Sequence, residues 1–288
     1  MVAKVPMRDY DPLAVINDVL SERRRYLEFY RLISDDLRNQ VAHYIEHQGN
    51  PTEVTPLNLR DYTNSDEEAK ARKESLINLY SPKATQVPFD ILDEMRNDHG
   101  LLFCPSCGED GAPGTLDHYL PKTVFPELAV CIANLTPMCS TCQGEKSADY
   151  LTAEDSKAFL HPYYDEIFVT LFHVDIWPPY DKPIAFNVAI KTSVTGELRR
   201  LIESHIDGID FKNRFEKYCI SKHLHLLKLV AEEREDEEPM RAEQLIRRFL
   251  RQEKKKALNA WGSIYYQSVL DTPALLDYLD SGNLPPYM

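Results

Sequence analysis

The sequence predicts an α+β protein, mainly α, in which a zinc-stapled ββα finger and a β-hairpin lie between N- and C-terminal helical regions. Three observations support this fold class. Apolar residues recur at helical spacing near both ends of the chain. Two Cys-x-x-Cys motifs, Cys104 to Cys107 and Cys139 to Cys142, have the spacing of a zinc site. After them, an alternating stretch from Ile184 to Val194 indicates a strand with one buried face.

The composition is that of a globular chain. Of its 288 residues, 43% are hydrophobic and 27% are charged, so a sizeable core can be buried. No apolar run approaches the roughly 18 residues of a membrane span, so we expect no membrane association. Residues 1–12 lack the charged and then apolar pattern of a secretion signal. We therefore expect the protein in the cytoplasm, where thiols stay reduced and paired Cys-x-x-Cys motifs bind zinc.

The N-terminal helical region is predicted to span residues 1–99. From Leu13 to about His47 the apolar residues have helical spacing, which indicates one long or once-broken helix. The acidic run that begins at Ser65 resembles a helix start, and a further short helix is expected from Val87 to Arg96. The finger is then expected over residues 100–165.

The β-hairpin is predicted over residues 166–196, with its strands within 167–177 and 184–194. In the second strand, four apolar side chains alternate with polar or small ones and are expected to be buried: Ile184, Phe186, Val188 and Ile190. The C-terminal helical region, residues 197–288, is expected to contain four helices: 198–206, 211–233, 239–260 and 272–279.

Four cysteines are predicted to bind one structural Zn²⁺ ion: Cys104, Cys107, Cys139 and Cys142. Each short turn directs two sulfurs at one metal. The 31 residues from Gly108 to Met138 separate the two motifs, which is more than the roughly 15 to 20 of a plain four-cysteine ribbon. The insertion therefore indicates an additional element. The remaining cysteines, Cys131 and Cys219, are expected to be buried thiols.

Polar residues in and after this insertion are suited to the hydrolysis of a phosphodiester. Asp117 offers a hard oxygen ligand for a divalent ion. His118 is the candidate general base, because imidazole titrates near working pH. Asn134 is expected to hold that imidazole in one tautomer. Gln143 is the candidate second metal ligand, and Lys146 is expected to contact a phosphate oxygen.

The arrangement resembles the HNH endonuclease family, whose ββα-metal finger grips a catalytic divalent ion. The matching elements occur in this order: the first cysteine motif, a strand ending in Asp117-His118, a strand-like stretch from Leu128 to Ile132, Asn134, the second cysteine motif, and a helix with Lys146. The resemblance covers about residues 100–165 and implies a catalytic Mg²⁺ or Mn²⁺ ion beside the structural Zn²⁺. It departs from the family at Gln143, where the family usually carries His, Asn or Asp.

Several longer strings are most similar to HNH effectors of bacterial anti-phage systems such as the Septu and retron-associated systems. These strings are Leu116 to Lys122, Phe125 to Leu128, Asn134 to Pro137 and His161 to Tyr164. The resemblance implies an SMC-like ATPase as a partner protein. Within the strings, Lys122 is a candidate substrate-binding residue. His161 has two interpretations, a packed structural histidine or a groove contact near the scissile phosphate.

The net charge of −13 is unusual for an enzyme that acts on nucleic acid, since Lys and Arg normally drive binding to a polyanion. Residues 101–165 carry three Lys or Arg against nine Asp or Glu, a net charge of −6. Catalytic metal ions, the helical flanks or a partner must therefore supply positive charge. In the predicted helix 239–260, five basic residues share one arc: Arg247, Arg248, Arg251, Lys254 and Lys255. This arc is either a solvated face or, through Arg247 and Arg251, a contact to nucleic acid.

The sequence thus favours an HNH endonuclease that hydrolyses DNA or RNA. One alternative is a non-catalytic zinc-binding interaction module, which the four cysteines alone would favour. Magnesium bound at Asp117 would separate this module from the enzyme. The other alternative is a free-standing restriction-type DNA endonuclease, which would require its own DNA-reading domain.

Overall fold

The computed structural model describes residues 3–182 and 186–286, which form an α+β fold with two small antiparallel sheets. The described residues contain ten α-helices: α1 (Pro12–Ser21), α2 (Leu27–Glu46), α3 (Asp66–Ile77), α4 (Pro88–Asn97), α5 (Ser140–Lys146), α6 (Gly196–Gly208), α7 (Phe211–Glu233), α8 (Ala242–Lys254), α9 (Trp261–Leu270) and α10 (Pro273–Ser281). Their four strands are β1 (Thr115–His118), β2 (Leu135–Met138), β3 (Phe172–Asp175) and β4 (Asn187–Ile190).

The N-terminal helices begin and end close to the predicted positions. The first predicted helix is broken once, between α1 and α2, where Tyr26 has a φ of 58°. Ser65 caps α3 by accepting a hydrogen bond from the backbone N–H of Glu68 at 3.1 Å. Pro88 opens α4, where its missing N–H costs nothing.

The finger contains a two-stranded hairpin followed by a helix. β1 pairs antiparallel with β2, so that Asp117 lies opposite Thr136. Cys139 caps α5 directly after the second strand. The prediction of a strand from Leu128 to Ile132 is wrong, because Leu128 ends one short 3₁₀ helix, Ile132 begins another, and the strand begins at Leu135. The run is buried on every side, and an apolar run without alternation does not distinguish a strand from buried turns.

The second sheet is the predicted hairpin, with β3 paired antiparallel to β4. Phe186, Val188 and Ile190 are buried, while Asn187 between them is exposed. Ile184, which the alternation also assigned to the buried face, lies outside the described residues.

The C-terminal helices agree with the sequence except around residue 260. α7 has the predicted bounds, whereas α8 ends at Lys254, six residues before the predicted end. A separate helix, α9, was not predicted. Eight of its ten residues are buried, including Ser263 and Ser268, so its sequence has no polar face that marks a helix period.

One contiguous cluster of buried apolar side chains contains residues from all four predicted regions. The finger therefore packs on both helical flanks. Within the described ranges, no helix is both long enough and apolar enough to cross a membrane.

Candidate functional site

Four cysteines come together at one end of the finger, which we call the cysteine end. One sulfur from each of Cys104, Cys107, Cys139 and Cys142 lies within 4.8 Å of the other three. Tetrahedral zinc with bonds of about 2.3 Å holds its sulfurs about 3.8 Å apart, so small adjustments suffice for binding. The group can therefore hold a structural metal such as zinc, as the sequence predicts.

A residue from the C-terminal region, Arg214 on α7, contacts these sulfurs. Its guanidinium donates to Cys142 Sγ at 3.2 Å, with longer contacts of 3.7 Å to Cys107 Sγ and 3.8 Å to Cys139 Sγ, and it also pairs with Glu109. Burial alone would lower the pKa of Arg214, but the hydrogen bond to Cys142 and the neighbouring thiolate charges outweigh it and raise that pKa. Four thiolates around Zn²⁺ carry a net charge of −2, and Arg214 offsets part of it.

Two further C-terminal side chains hold the backbone of the first cysteine motif. Trp261 Nε1 donates to the Cys107 carbonyl at 2.7 Å. His205 Nε2 donates to the Ser106 carbonyl at 3.0 Å. These partners lie about 100 positions or more from the motif in sequence, and no local pattern marks them. Sequence reasoning therefore missed this support.

The opposite end of the finger, the Asp-His end, consists of Asp117, His118, Gln143 and Lys146. Lys146 Nζ lies 3.0 Å from Asp117 Oδ2 and donates to the His118 carbonyl at 3.1 Å. Asp117 Oδ2 therefore has the Lys146 ammonium as its charged partner and, among the described residues, no further hydrogen-bond donor. Burial raises the pKa of Asp117, and Lys146 opposes that rise.

This pairing changes the role predicted for Lys146. The side chain is 1% exposed, so its ammonium cannot contact a phosphate in this arrangement. It instead neutralises the buried carboxylate of Asp117 and holds the end of β1. We interpret Lys146 as a positioning residue.

The imidazole of His118 is held by Ala129. Its Nε2 donates to the Ala129 carbonyl at 2.9 Å, which leaves the lone pair on Nδ1. Burial lowers the pKa of His118 to about 3, so the ring is neutral near pH 7. The Asn134 amide, which was expected to orient this ring, bonds the backbone of Leu120 at 2.7 and 2.9 Å and braces the loop. Ala129 thus has the role predicted for Asn134.

Gln143 and two further side chains complete this end: Tyr80 from outside the finger and Lys122 from within it. Gln143 Nε2 donates to the Leu116 carbonyl at 2.8 Å, so its amide oxygen is the atom that remains for a cation. Tyr80 donates to the same carbonyl at 3.1 Å, and its ring packs edge-on against His118 at 4.4 Å. Lys122 Nζ lies 4.4 Å from the centre of the Tyr80 ring. The sequence analysis missed Tyr80.

The remaining predicted site residues lie apart from this end. His161 is fully buried among tyrosines, and its Nε2 lies 2.8 Å from the Tyr44 hydroxyl. This burial favours the packed structural interpretation over a groove contact. Arg247 and Arg251 are exposed on α8, as the periodicity predicts, and Arg247 pairs with Glu243.

Comparisons with known proteins give little guidance. No protein-family model matches the chain. No solved structure matches it either. The protein ea31 of Escherichia phage lambda is 41% identical over 64 residues, which are 22% of this chain and 21% of that protein. The chain thus aligns with about a fifth of the length of this relative.

Proposed function

We propose that this chain is an HNH-type endonuclease that hydrolyses phosphodiester bonds of nucleic acid with a divalent ion. A structural zinc ion at the four cysteines would stabilise its finger. One observation carries the proposal. The pairing of β1 with β2 and the position of α5 bring Asp117, His118 and Gln143 to one end of the finger, where the buried oxygen Asp117 Oδ2 is partnered by the Lys146 ammonium alone among the described residues. The sequence resemblance to HNH endonucleases supports the same interpretation.

The residues at this end fit a hard divalent ion such as Mg²⁺ or Mn²⁺. Asp117 Oδ2 is a buried carboxylate oxygen whose partner is the Lys146 ammonium, and the amide oxygen of Gln143 is the candidate second ligand. When bound, such an ion supplies charge that neutralises the phosphate and stabilises the leaving alkoxide. Lys146 competes for Asp117, so we expect metal affinity to be modest.

The chain's own residues supply the proton transfer. His118 carries its lone pair on Nδ1, and the Ala129 carbonyl keeps the ring in that tautomer. A neutral imidazole can take a proton from an attacking water, and a positioned base contributes about 100- to 10,000-fold to rate. Tyr80 packs against the ring and limits its rotation. Lys122, half-buried beside Tyr80, is the candidate phosphate contact.

The substrate is DNA or RNA, and the acidic chain requires positive charge from elsewhere to attract it. The exposed basic arc of α8, including Arg247 and Arg251, is one source. An SMC-like ATPase partner, implied by the resemblance to anti-phage effectors, is another. Both contributions are part of the proposal.

A non-catalytic zinc module remains a second candidate. The observation that favours it is the Lys146 ammonium, which already neutralises Asp117. The low pKa of His118 also makes it a weak base.

The test is cleavage of plasmid DNA and total RNA with Mg²⁺ or Mn²⁺, with and without the candidate ATPase. We expect His118→Ala to lose at least about 100-fold in turnover while keeping its zinc content and circular dichroism. His225→Ala is the matched control, because that histidine is exposed on α7. Wild-type activity in His118→Ala would exclude this active site. Absence of both cleavage and Mn²⁺ binding in the wild type would favour the zinc module.

A further inference from the structure

A second group of metal-ligand side chains lies at the end of α2, outside the finger. His43, Glu46 and His47 each present one ligand atom within 4.8 Å of the other two. The two histidines are four positions apart and therefore lie on one face of the helix, with ring centres 4.2 Å apart. Glu46 lies between them in sequence, on the same last turn. This cluster belongs neither to the cysteine end nor to the Asp-His end.

The electrostatics of this helix end favour a cation. The carbonyl groups of the last helical turn carry partial negative charge, and Glu46 adds a full negative charge. The side chains of Glu46 and His47 have no hydrogen-bond or salt-bridge partner among the described residues. No lysine or arginine in those ranges therefore neutralises the cluster through an ion pair.

The chain also prepares one imidazole for metal binding. His43 Nε2 donates to the Glu53 carbonyl at 2.9 Å, since a carbonyl can only accept. This bond places the proton on Nε2 and leaves the Nδ1 lone pair for a metal. A hydrogen bond from the second ring nitrogen to a carbonyl is the usual way in which proteins orient a metal-binding histidine.

From these contacts we infer that His43, Glu46 and His47 form a binding site for a divalent transition-metal ion that prefers imidazole, with Zn²⁺ as its representative. Two imidazoles and one carboxylate are a ligand set that zinc accepts, and they leave a coordination position open to solvent. Zinc with bonds of about 2.0 Å holds its ligand atoms about 3.3 Å apart, which rotation of these partly exposed side chains can reach.

Metal at this position would hold together the last turn of α2 and its C-terminal cap residue, His47. Gly49 lies in the turn that follows with a φ of 67°, and a side chain there would collide with Tyr44 and His161. Through the hydrogen bond of His43, the ion would also connect to Glu53. We therefore expect zinc binding at this site to raise the melting temperature of the protein, and to raise it further as the zinc concentration exceeds the Kd of the site.

The test counts zinc in the full-length, reduced protein against a chromophoric chelator, with excess Mg²⁺ present to compete for the ion site proposed at Asp117. We expect the wild type to bind one tight equivalent at the cysteines and a second, weaker equivalent at this site. The double variant His43→Ala, His47→Ala should retain the first equivalent and lose the second, with affinity lower by at least about 100-fold. Glu46→Gln should weaken the second equivalent by about tenfold. His225→Ala, an exposed histidine on α7, should leave both unchanged.

Cobalt distinguishes the two sites spectroscopically. Cobalt at four cysteines gives an intense thiolate charge-transfer band, whereas the second equivalent should add only weak ligand-field absorption. A single equivalent in the wild type would overturn the proposal. A second equivalent that survives the double variant, or that strengthens the thiolate band, would overturn it as well. These readouts do not depend on nuclease activity, so failure of the proposed function would not affect them.

Discussion

The cysteine end of the finger is held by side chains from three C-terminal helices, whereas the Asp-His end is held by Lys146 from within the finger and by Tyr80 from the N-terminal region. At the cysteine end, the sulfurs already have a cationic partner in Arg214. At the Asp-His end, the buried carboxylate of Asp117 also has a cationic partner, but this is a residue of the finger itself, Lys146 at 3.0 Å. The first arrangement suits a permanent structural metal. The second would take the proposed catalytic ion only in competition with Lys146.

Removal of zinc should have the largest effect and should affect both ends. Binding of a structural zinc ion contributes on the order of 10 kcal/mol or more, which is comparable to the whole stability of a domain. We expect Cys107→Ser to lose zinc and to unfold β1 and β2, as measured by metal analysis and hydrogen exchange. Cys131→Ala is the control, because Cys131 is a buried thiol outside the cluster. Protected strands in zinc-free protein would contradict this prediction.

The next largest effect is expected for Lys146→Met. Removing one partner of a buried ion pair typically costs about 3 to 5 kcal/mol, because the other charge is left uncompensated. The pKa of Asp117 is already raised and would rise further without Lys146. Asp117 would then take up a proton at low pH, so the loss should be greater at pH 8 than at pH 5. Chemical denaturation at both pH values measures this loss of stability.

This variant also tests the difference between the two ends. Addition of Mn²⁺ should stabilise Lys146→Met more than the wild type, because the ion can replace the missing ammonium. The double variant Asp117→Asn, Lys146→Met should recover much of the stability and lose the response to Mn²⁺. If Lys146→Met were as stable as the wild type at both pH values, the buried ion pair would not be what stabilises the Asp-His end.

The sequence was sufficient for the elements whose residues carry local signals. Ser65 marks the start of α3 by its hydroxyl cap, and the alternation of Phe186, Val188 and Ile190 marks β4. Prediction from the sequence failed at Leu128 to Ile132 and at α9. Both segments are buried, so they have no polar face whose spacing would distinguish a helix from a strand. The cysteine spacing predicted the metal cluster, but the tertiary contact that supplies Arg214 has no counterpart in the local sequence.

Glu127 tests how the loop between the two strands is attached to the N-terminal region. It is buried, accepts hydrogen bonds from Leu57 N at 3.1 Å and Gln40 Nε2 at 3.3 Å, and has no partner for Oε2. Burial raises its pKa to about 7. The folded protein therefore holds a proton that the unfolded chain releases above about pH 4.5. The stability that Glu127 contributes is fully present below about pH 4.5 and is lost as the pH rises through about 7.

Glu127→Gln keeps the shape and the hydrogen bonds but removes the titration. We expect it to match the wild type near pH 4.5 and to be more stable by about 3 kcal/mol at pH 8. Buried neutral histidines such as His118 give the opposite slope, so only the difference between variant and wild type isolates Glu127. Glu145→Gln, at an exposed position, is the control. A difference independent of pH would mean that the carboxylate is not protonated in the fold.

The smallest expected effect concerns Arg214 at the cysteine end. Arg214→Met keeps much of the apolar stem but removes the donors to Cys142 and Glu109. Loss of partners that surround metal ligands typically costs about 10- to 100-fold in metal affinity. We therefore expect zinc to transfer to a chelator about 10 to 100 times faster, with the protein still folded when loaded.

Arg214→Lys sharpens the same test. A lysine keeps the charge but cannot reproduce the planar set of donors that the guanidinium presents to several sulfurs. If charge alone stabilises the thiolates, Lys should restore most of the zinc retention. If directed hydrogen bonds are needed, Lys should behave like Met. Arg200→Met, at an exposed position on α6, controls for the loss of a positive charge. Unchanged zinc release in Arg214→Met would mean that the C-terminal helices hold the cysteine end through its backbone alone, by the contacts of Trp261 and His205.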